Sequence, residues 1–291
     1  MTSKSINLFL MDGDPNGRIK CTLANWTGLA YKIPRTMLEK ARNISYLQQT
    51  GVYLLFGTSN ETGNPVVYIG QAGIRKNGQG ILNRWEEHKR NSDKDWWTEA
   101  VALTTSNNSF GPTEISFLEN RFWNIANKAD RYEVMNGNNP THGNITEEKE
   151  SEMEEFISYA RLVIGALGYK VFEPLIVQTE TVSRPETLNE EPILLSRRKS
   201  ADAKGKRTSE GFVLFRGSKI SEGYVKSAPK WVHELREKNA QFIQPNRTIS
   251  KDLLFSSPSA AAAFVAGGSA NGLIEWKTED GKTLRDLEAQ E

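Results

Sequence analysis

Arg84 and His88 stand four residues apart in "GILNRWEEHKR", a spacing that puts two side chains on one helical face, a turn from each other. A guanidinium grips a phosphate through two parallel hydrogen bonds, and an imidazole beside it moves a proton near neutral pH. Further along, Glu119 lies in "SFLENRFW" between Leu118 and Phe122. A carboxylate at the edge of an apolar face can hold a hard divalent cation there; Glu114 is its rival on the same helix. Two tyrosines complete the set, Tyr53 in "GVYLLFG" and Tyr68 in "VVYIGQAG", each in an apolar run beside a glycine. Each feature alone also has a plain structural reading. Arg84 and His88 would be a surface pair, Glu119 the polar face of a helix, and the tyrosines cross-strand neighbours that only pack.

The periodicity supplies elements to carry these residues. From Gly51 the pattern is strand, turn and strand: "GVYLLFG", "TSNETGNP", "VVYIGQAG". Ile81, Leu82 and Trp85 then fall at helical spacing, a third strand is expected at "TEAVALTT", and "GPTEISFLENRFWNIANKA" reads as an amphipathic helix with Pro112 near its start. Asn136, Asn138 and Asn139 crowd before Pro140 as a turn. "EEKESEMEEFISYARLVIGALG" is a closing helix with acids at its N-terminus. Upstream, residues 1–50 read as a small extension with one helix, "RTMLEKARNI". Downstream, residues 179–209 are rich in proline, serine and charge and read as an exposed linker. Its cluster Arg197, Arg198, Lys199, Lys204, Lys206 and Arg207 is either solvated or touches nucleic-acid backbone. Residues 210–291 are expected to fold as a second small α+β unit, with Ser257 and Pro258 opening a helix that Gly267 ends, and a hairpin around Asp280 and Gly281.

The bulk numbers narrow the class. The 291 residues have room for about two domains. A single cysteine, Cys21, excludes an intramolecular disulfide and a thiolate cluster, and three histidines leave little for zinc. No apolar run is long enough for a membrane span or a signal peptide, so a cytoplasmic protein is expected. The formal net charge of +1 lacks the excess of a nucleic-acid coat but permits a local phosphate-binding patch.

In their order along the chain, these residues resemble the GIY-YIG nuclease family. "GVY" matches its first motif with Val52 in place of isoleucine, and "YIG" at Tyr68 to Gly70 matches the second; Arg four before His, a helical Glu and a late Asn follow in sequence. The resemblance covers roughly residues 51–140, within a nuclease domain taken as 51–178. It implies an α+β fold with a small mixed sheet flanked by helices, and a DNA endonuclease using one divalent cation, Mg²⁺ or Mn²⁺. Tyr53 and Tyr68 would place their hydroxyls in the site, Arg84 would neutralise the scissile phosphate, His88 would assist proton transfer, Glu119 would bind the metal and Asn136 would support the site. Asn138 and Asn139 stand close enough to take that last role. A phenol is a poor base at neutrality unless positive charge lowers its pKa, and Arg84 with a bound cation would do so for Tyr53. Arg75, Lys76, Lys89, Arg90 and Lys94 would contact DNA phosphates, and Trp96 or Trp97 would stack on a base. The C-terminal stretch "FSSPSAAAAFVAGGSANGLIEWKTEDGKTL" is similar to DUF4357, a small domain that accompanies some of these nucleases. An RNA-directed nuclease and a binding module with a degenerate site are the alternatives.

Overall fold

Residues 3–73, 80–176, 193–198 and 200–290 are described by a computed structural model. Their chain divides into two compact units, Met1–Pro174 and Leu175–Glu291.

The first unit is built on one mixed sheet. Strands β1 (Ile6–Leu10), β2 (Ile19–Leu23) and β3 (Gly28–Pro34) come first, then the tyrosine hairpin β4 (Gly51–Thr58) and β5 (Pro65–Ala72). Helix α1 (Ile81–Arg90), strand β6 (Trp97–Thr105), helix α2 (Pro112–Ala129), the two-residue strand β7 (Glu133–Val134) and helix α3 (Glu147–Ala166) follow. The strand order is β1-β2-β3-β6-β4-β5-β7, with every neighbouring pair antiparallel except β5 and β7. Residues 1–50 are therefore no separate extension, because β3 pairs with β6 near the middle of the sheet. That strand escapes a sequence reading because both its faces are buried, which removes the polar alternation of a half-exposed strand. The helix expected at "RTMLEKARNI" is instead a pair of 3₁₀ turns, Arg35–Met37 and Glu39–Ala41. Leu38, Ala41, Ile44 and Leu47 are all buried, and their spacing of three suits 3₁₀ geometry, in which side chains three apart eclipse.

Strand β4 is sandwiched. Val52, Leu54 and Phe56 face a core completed by α2 and α3, whereas Tyr53 and Leu55 face a second core with Leu38, Leu47, Ile81 and Trp85. This period-two split sends Tyr53 toward α1. Cys21 is buried in the first core, and burial pushes its thiol up to about 11.

The second unit carries a four-stranded antiparallel sheet in the order β11-β10-β9-β8, made of β8 (Leu194–Arg198), β9 (Ala201–Thr208), β10 (Gly211–Leu214) and β11 (Leu253–Phe255). Helices α4 (Lys230–Lys238), α5 (Pro258–Ala266), α6 (Gly272–Glu275) and α7 (Leu284–Glu288) accompany it. Two strands thus occupy residues 194–198 and 201–208 of the stretch 179–209 expected to be linker; residues 179–192 of it lie outside the described residues, with Lys199. The inward residues of β9 are Ala201, Ala203 and Gly205, too small to mark the strand in composition, while Asp202 and Lys204 face out. At Gly205 a Cβ would meet the Phe212 ring of β10, and Ala201 and Ala203 are small where α5 packs on the sheet through a core containing Ala261, Ala262, Phe264 and Val265. That helix has the expected ends: Ser257 accepts from Ala260 N–H at 3.1 Å, and Gly267 closes it at φ 66°. Of the expected hairpin "GLIEWKTEDGKTL", the first four residues are helix α6, and the rest turns around Asp280 and Gly281 as a hairpin: a Lys277–Thr283 bridge is flanked by Thr278 N–H donating to the Lys282 carbonyl and Leu284 N–H to the Trp276 carbonyl, both at 2.9 Å. Among the described residues no helix is long and apolar enough to cross a membrane.

Candidate active site

Tyr53 and Gly70 are direct partners across the β4–β5 hairpin. A Cβ at Gly70 would lie 2.4 Å from the Tyr53 hydroxyl and 2.5 Å from Cζ. The absent side chain is therefore what lets the Tyr53 ring lie across the neighbouring strand. Below the ring Trp85 packs edge-on at 6.4 Å between centroids, and Tyr53 is only 1% exposed.

Helix α1 delivers the next two residues. Its first turn starts at Gly80, where a Cβ would meet the carbonyls of Gln49 and Gln48 at 2.2 and 2.4 Å, and Ile81 N–H donates to the Gln49 carbonyl. The helix so seated buries Ile81, Leu82 and Trp85 and turns Arg84 and His88 toward the tyrosines. Tyr53 Oη and His88 Nε2 share a hydrogen bond of 2.8 Å, and the imidazole lies 5.1 Å from the Tyr68 ring. Arg84 donates to Glu87 at 2.5 Å and acts electrostatically on Tyr53, Tyr68, His88 and Glu119. Glu119, from α2, accepts from Gln71 Nε2 of β5 at 2.9 Å.

Asn136 works on the backbone. Strand β7 ends after two residues, and the next polar groups on the β5 edge, N–H and C=O of Ile69, are taken by the Asn136 side chain. Ile69 N–H donates to Oδ1 at 3.1 Å, and Nδ2 donates to the Ile69 carbonyl at 2.7 Å. One amide side chain thus replaces a strand partner and fixes the segment holding Tyr68 and Gly70. Asn138 and Asn139 are exposed. Glu114 bonds the Gly111 N–H at the start of α2 and is a helix cap.

Burial decides the protonation states. It pushes His88 down to about 4, with Lys94 and Arg84 adding to the effect, so the ring is neutral at pH 7. It also carries Tyr53 well above the usual phenol range, and the opposing pull of Arg84 does not offset it. Arg84 by itself therefore does not make Tyr53 an easy phenolate, since desolvation outweighs one half-exposed cation; the expectation joined Arg84 to a bound divalent cation. Burial likewise raises Tyr68 and the Glu119 carboxyl, the latter against the pull of Gln71 and Arg84.

Among the described residues no three His, Cys, Asp or Glu side chains gather as a metal set. A lone half-buried carboxylate fits an ion such as Mg²⁺, which keeps several waters and binds through one or two carboxylates plus substrate phosphates. The other expected contacts divide. Trp97 is fully buried beneath the Arg35 guanidinium and is core, while Trp96 is half-buried against the same core. Lys89 and Arg90 are exposed, with Arg90 paired to Glu86; Arg75 and Lys76 lie outside the described residues. Gln71 was not visible as a site residue from sequence; it directly follows the Tyr-Ile-Gly motif, and its alternation toward α2 is the signal that finds it.

A family model described as a domain of unknown function, DUF4357, matches residues 194–288, beginning at the first residue of β8. This supports the expectation for the C-terminal domain. Neither the curated proteins nor the solved structures give a significant match to this chain.

Proposed function

We propose that the first unit is a GIY-YIG-type, divalent-metal-dependent endonuclease that hydrolyses phosphodiester bonds in DNA. The observation that carries the reading is the Tyr53–His88 hydrogen bond, set beside Arg84 and Tyr68 with the Glu119 carboxylate in electrostatic reach of Tyr53, Tyr68 and Arg84. A proton acceptor, a phosphate-binding cation and a metal-binding carboxylate at one place form the minimum set for water attack on a phosphodiester.

The protonation states suggest how the residues divide the work. In the tautomer with Nε2 unprotonated, neutral His88 accepts from the Tyr53 hydroxyl, whose oxygen can in turn accept a proton from water. Tyr53 then passes a proton on without existing as a free phenolate, which its burial opposes. Tyr68 orients water or phosphate, and Arg84 meets the negative charge that grows on the phosphate oxygens. Glu119 would hold Mg²⁺ or Mn²⁺, which when bound supplies Lewis-acid stabilisation of the phosphate and the leaving oxygen.

The test is cleavage of matched DNA and RNA by wild type, Arg84→Ala and Tyr53→Phe. Cutting of DNA that falls about 10²-fold or more in both variants supports the reading. Cutting of RNA alone would transfer the activity to RNA, and wild-type turnover in both variants would remove these residues from the chemistry.

A further inference from the structure

Lys94 lies outside the motif set, yet its ammonium sits 3.4 Å from the centre of the Tyr68 ring. It also acts electrostatically on His88 and is acted on by Arg84. It is thus a second cation at the tyrosine pair. Arg84 has a carboxylate partner in Glu87. Among the described residues Lys94 has none: its neighbours are an aromatic face, an imidazole and another cation.

The placement is built. Lys94 ends a 3₁₀ turn, Ser92–Lys94, whose start is fixed by Asn91 Oδ1 accepting from Asp93 N–H at 2.9 Å. Arg35 binds the turn from the other side. Its guanidinium donates to the carbonyls of Lys89, Lys94, Asp95 and Trp97 at 3.2, 3.3, 2.7 and 3.2 Å and stacks on Trp97 at 4.8 Å. Four carbonyls on one planar donor join the end of α1 to the start of β6. The lysine backbone is therefore held where the side chain reaches Tyr68.

A half-buried cation without an anion is costly, and a bound anion removes the cost. We propose that Lys94 and Arg84 form a two-cation cradle for a phosphodiester anion, with Lys94 taking a non-bridging oxygen of the scissile or adjacent phosphate over the face of Tyr68. This rests on the nuclease reading of the same site for the identity of the phosphate, but not for the anion itself. Burial and Arg84 hold the ammonium down at about 8, so anion binding should draw a proton onto it.

The experiment is competitive trace acetylation of the full-length wild-type chain in chelator across pH 6 to 10, read by mass spectrometry at Lys94, with and without a short DNA duplex. An uncharged peptide nucleic acid serves as the control. We expect Lys94 to acetylate as a low-pKa amine, to slow about tenfold with DNA as its pKa rises by one, and to be unaffected by the control. Cleavage by Lys94→Met, with Lys94→Arg as the charge-keeping variant, is measured alongside. Protection of Lys94 by DNA in a chain that cuts nothing would uphold the anion site and sink the nuclease reading. Cutting by wild type with no protection of Lys94 and full activity in Lys94→Met would overturn the cradle alone.

Discussion

Replacing Gly70 by alanine tests the central geometric feature, the close approach of Tyr53 to its cross-strand partner. Gly70 does not have a left-handed backbone, so alanine would by itself stabilise the strand by about 0.5–1 kcal/mol through chain entropy. Against this, the new Cβ would sit 2.4 Å from the Tyr53 hydroxyl and 2.5 Å from Cζ. The ring has little room to give, being wedged by Trp85 and tied to His88. Overpacking of this kind costs about 1–3 kcal/mol. The net expectation is destabilisation by up to about 2 kcal/mol, with loss of the Tyr53–His88 bond. In a Tyr53→Leu background the obstacle is gone, and the same alanine should be neutral or stabilising by up to about 1 kcal/mol. Urea unfolding of the four proteins gives the coupling energy directly, expected at about 1–3 kcal/mol. Equal effects of Gly70→Ala in both backgrounds would refute the explanation of the glycine.

Three further outcomes follow from the same physics. His88 titrates near 4 when folded against an ordinary 6.5, so the unfolded chain takes up its proton first. Stability from this group is complete above pH 6.5 and is lost on acidification toward 4, by about 3 kcal/mol. Urea melts of wild type and His88→Gln at pH 7 and pH 4.5 should show the variant losing less. Asn136→Ala leaves Ile69 N–H and C=O without their partner and should cost about 1–3 kcal/mol; the same melts check it, and a change below experimental error would deny Asn136 its role as strand substitute. In the second unit, buried Arg236 donates to the carbonyls of Phe264, Val265 and Gly223 and to Ser221 Oγ, two of them at the C-terminal end of α5. Arg236→Met should destabilise this unit by about 2–4 kcal/mol, measured as earlier proteolysis between residues 194 and 288.

Legibility in the sequence followed how strongly a residue's neighbours are local. The hairpin, α1 and α2 stood out because their periodicities are strong, and Arg84 and His88 share a face through helix geometry alone. Strand β3 did not, because burial on both faces leaves no alternation, and β9 did not, because its inward alanines and glycine resemble a loop. Among three asparagines only contact with the β5 backbone singles out Asn136, and that contact spans 67 residues of sequence. Lys94 stands in the sequence as one of five candidate phosphate contacts, and only the fold, which lays it on Tyr68, sets it apart from the others. The protonation of Tyr53 is the deepest case, since sequence names the cation beside it but not the burial that outweighs that cation.

Metal dependence at Glu119 is the point on which the enzymatic reading stands. Wild type and Glu119→Ala should be compared on supercoiled plasmid, single-stranded DNA and RNA with Mg²⁺, with Mn²⁺ and with chelator. Cutting of DNA by wild type that needs the ion and is lost in Glu119→Ala, with folding and most DNA binding retained, is the expected result. Cutting that persists in chelator, or that is equal in Glu119→Ala, would contradict it.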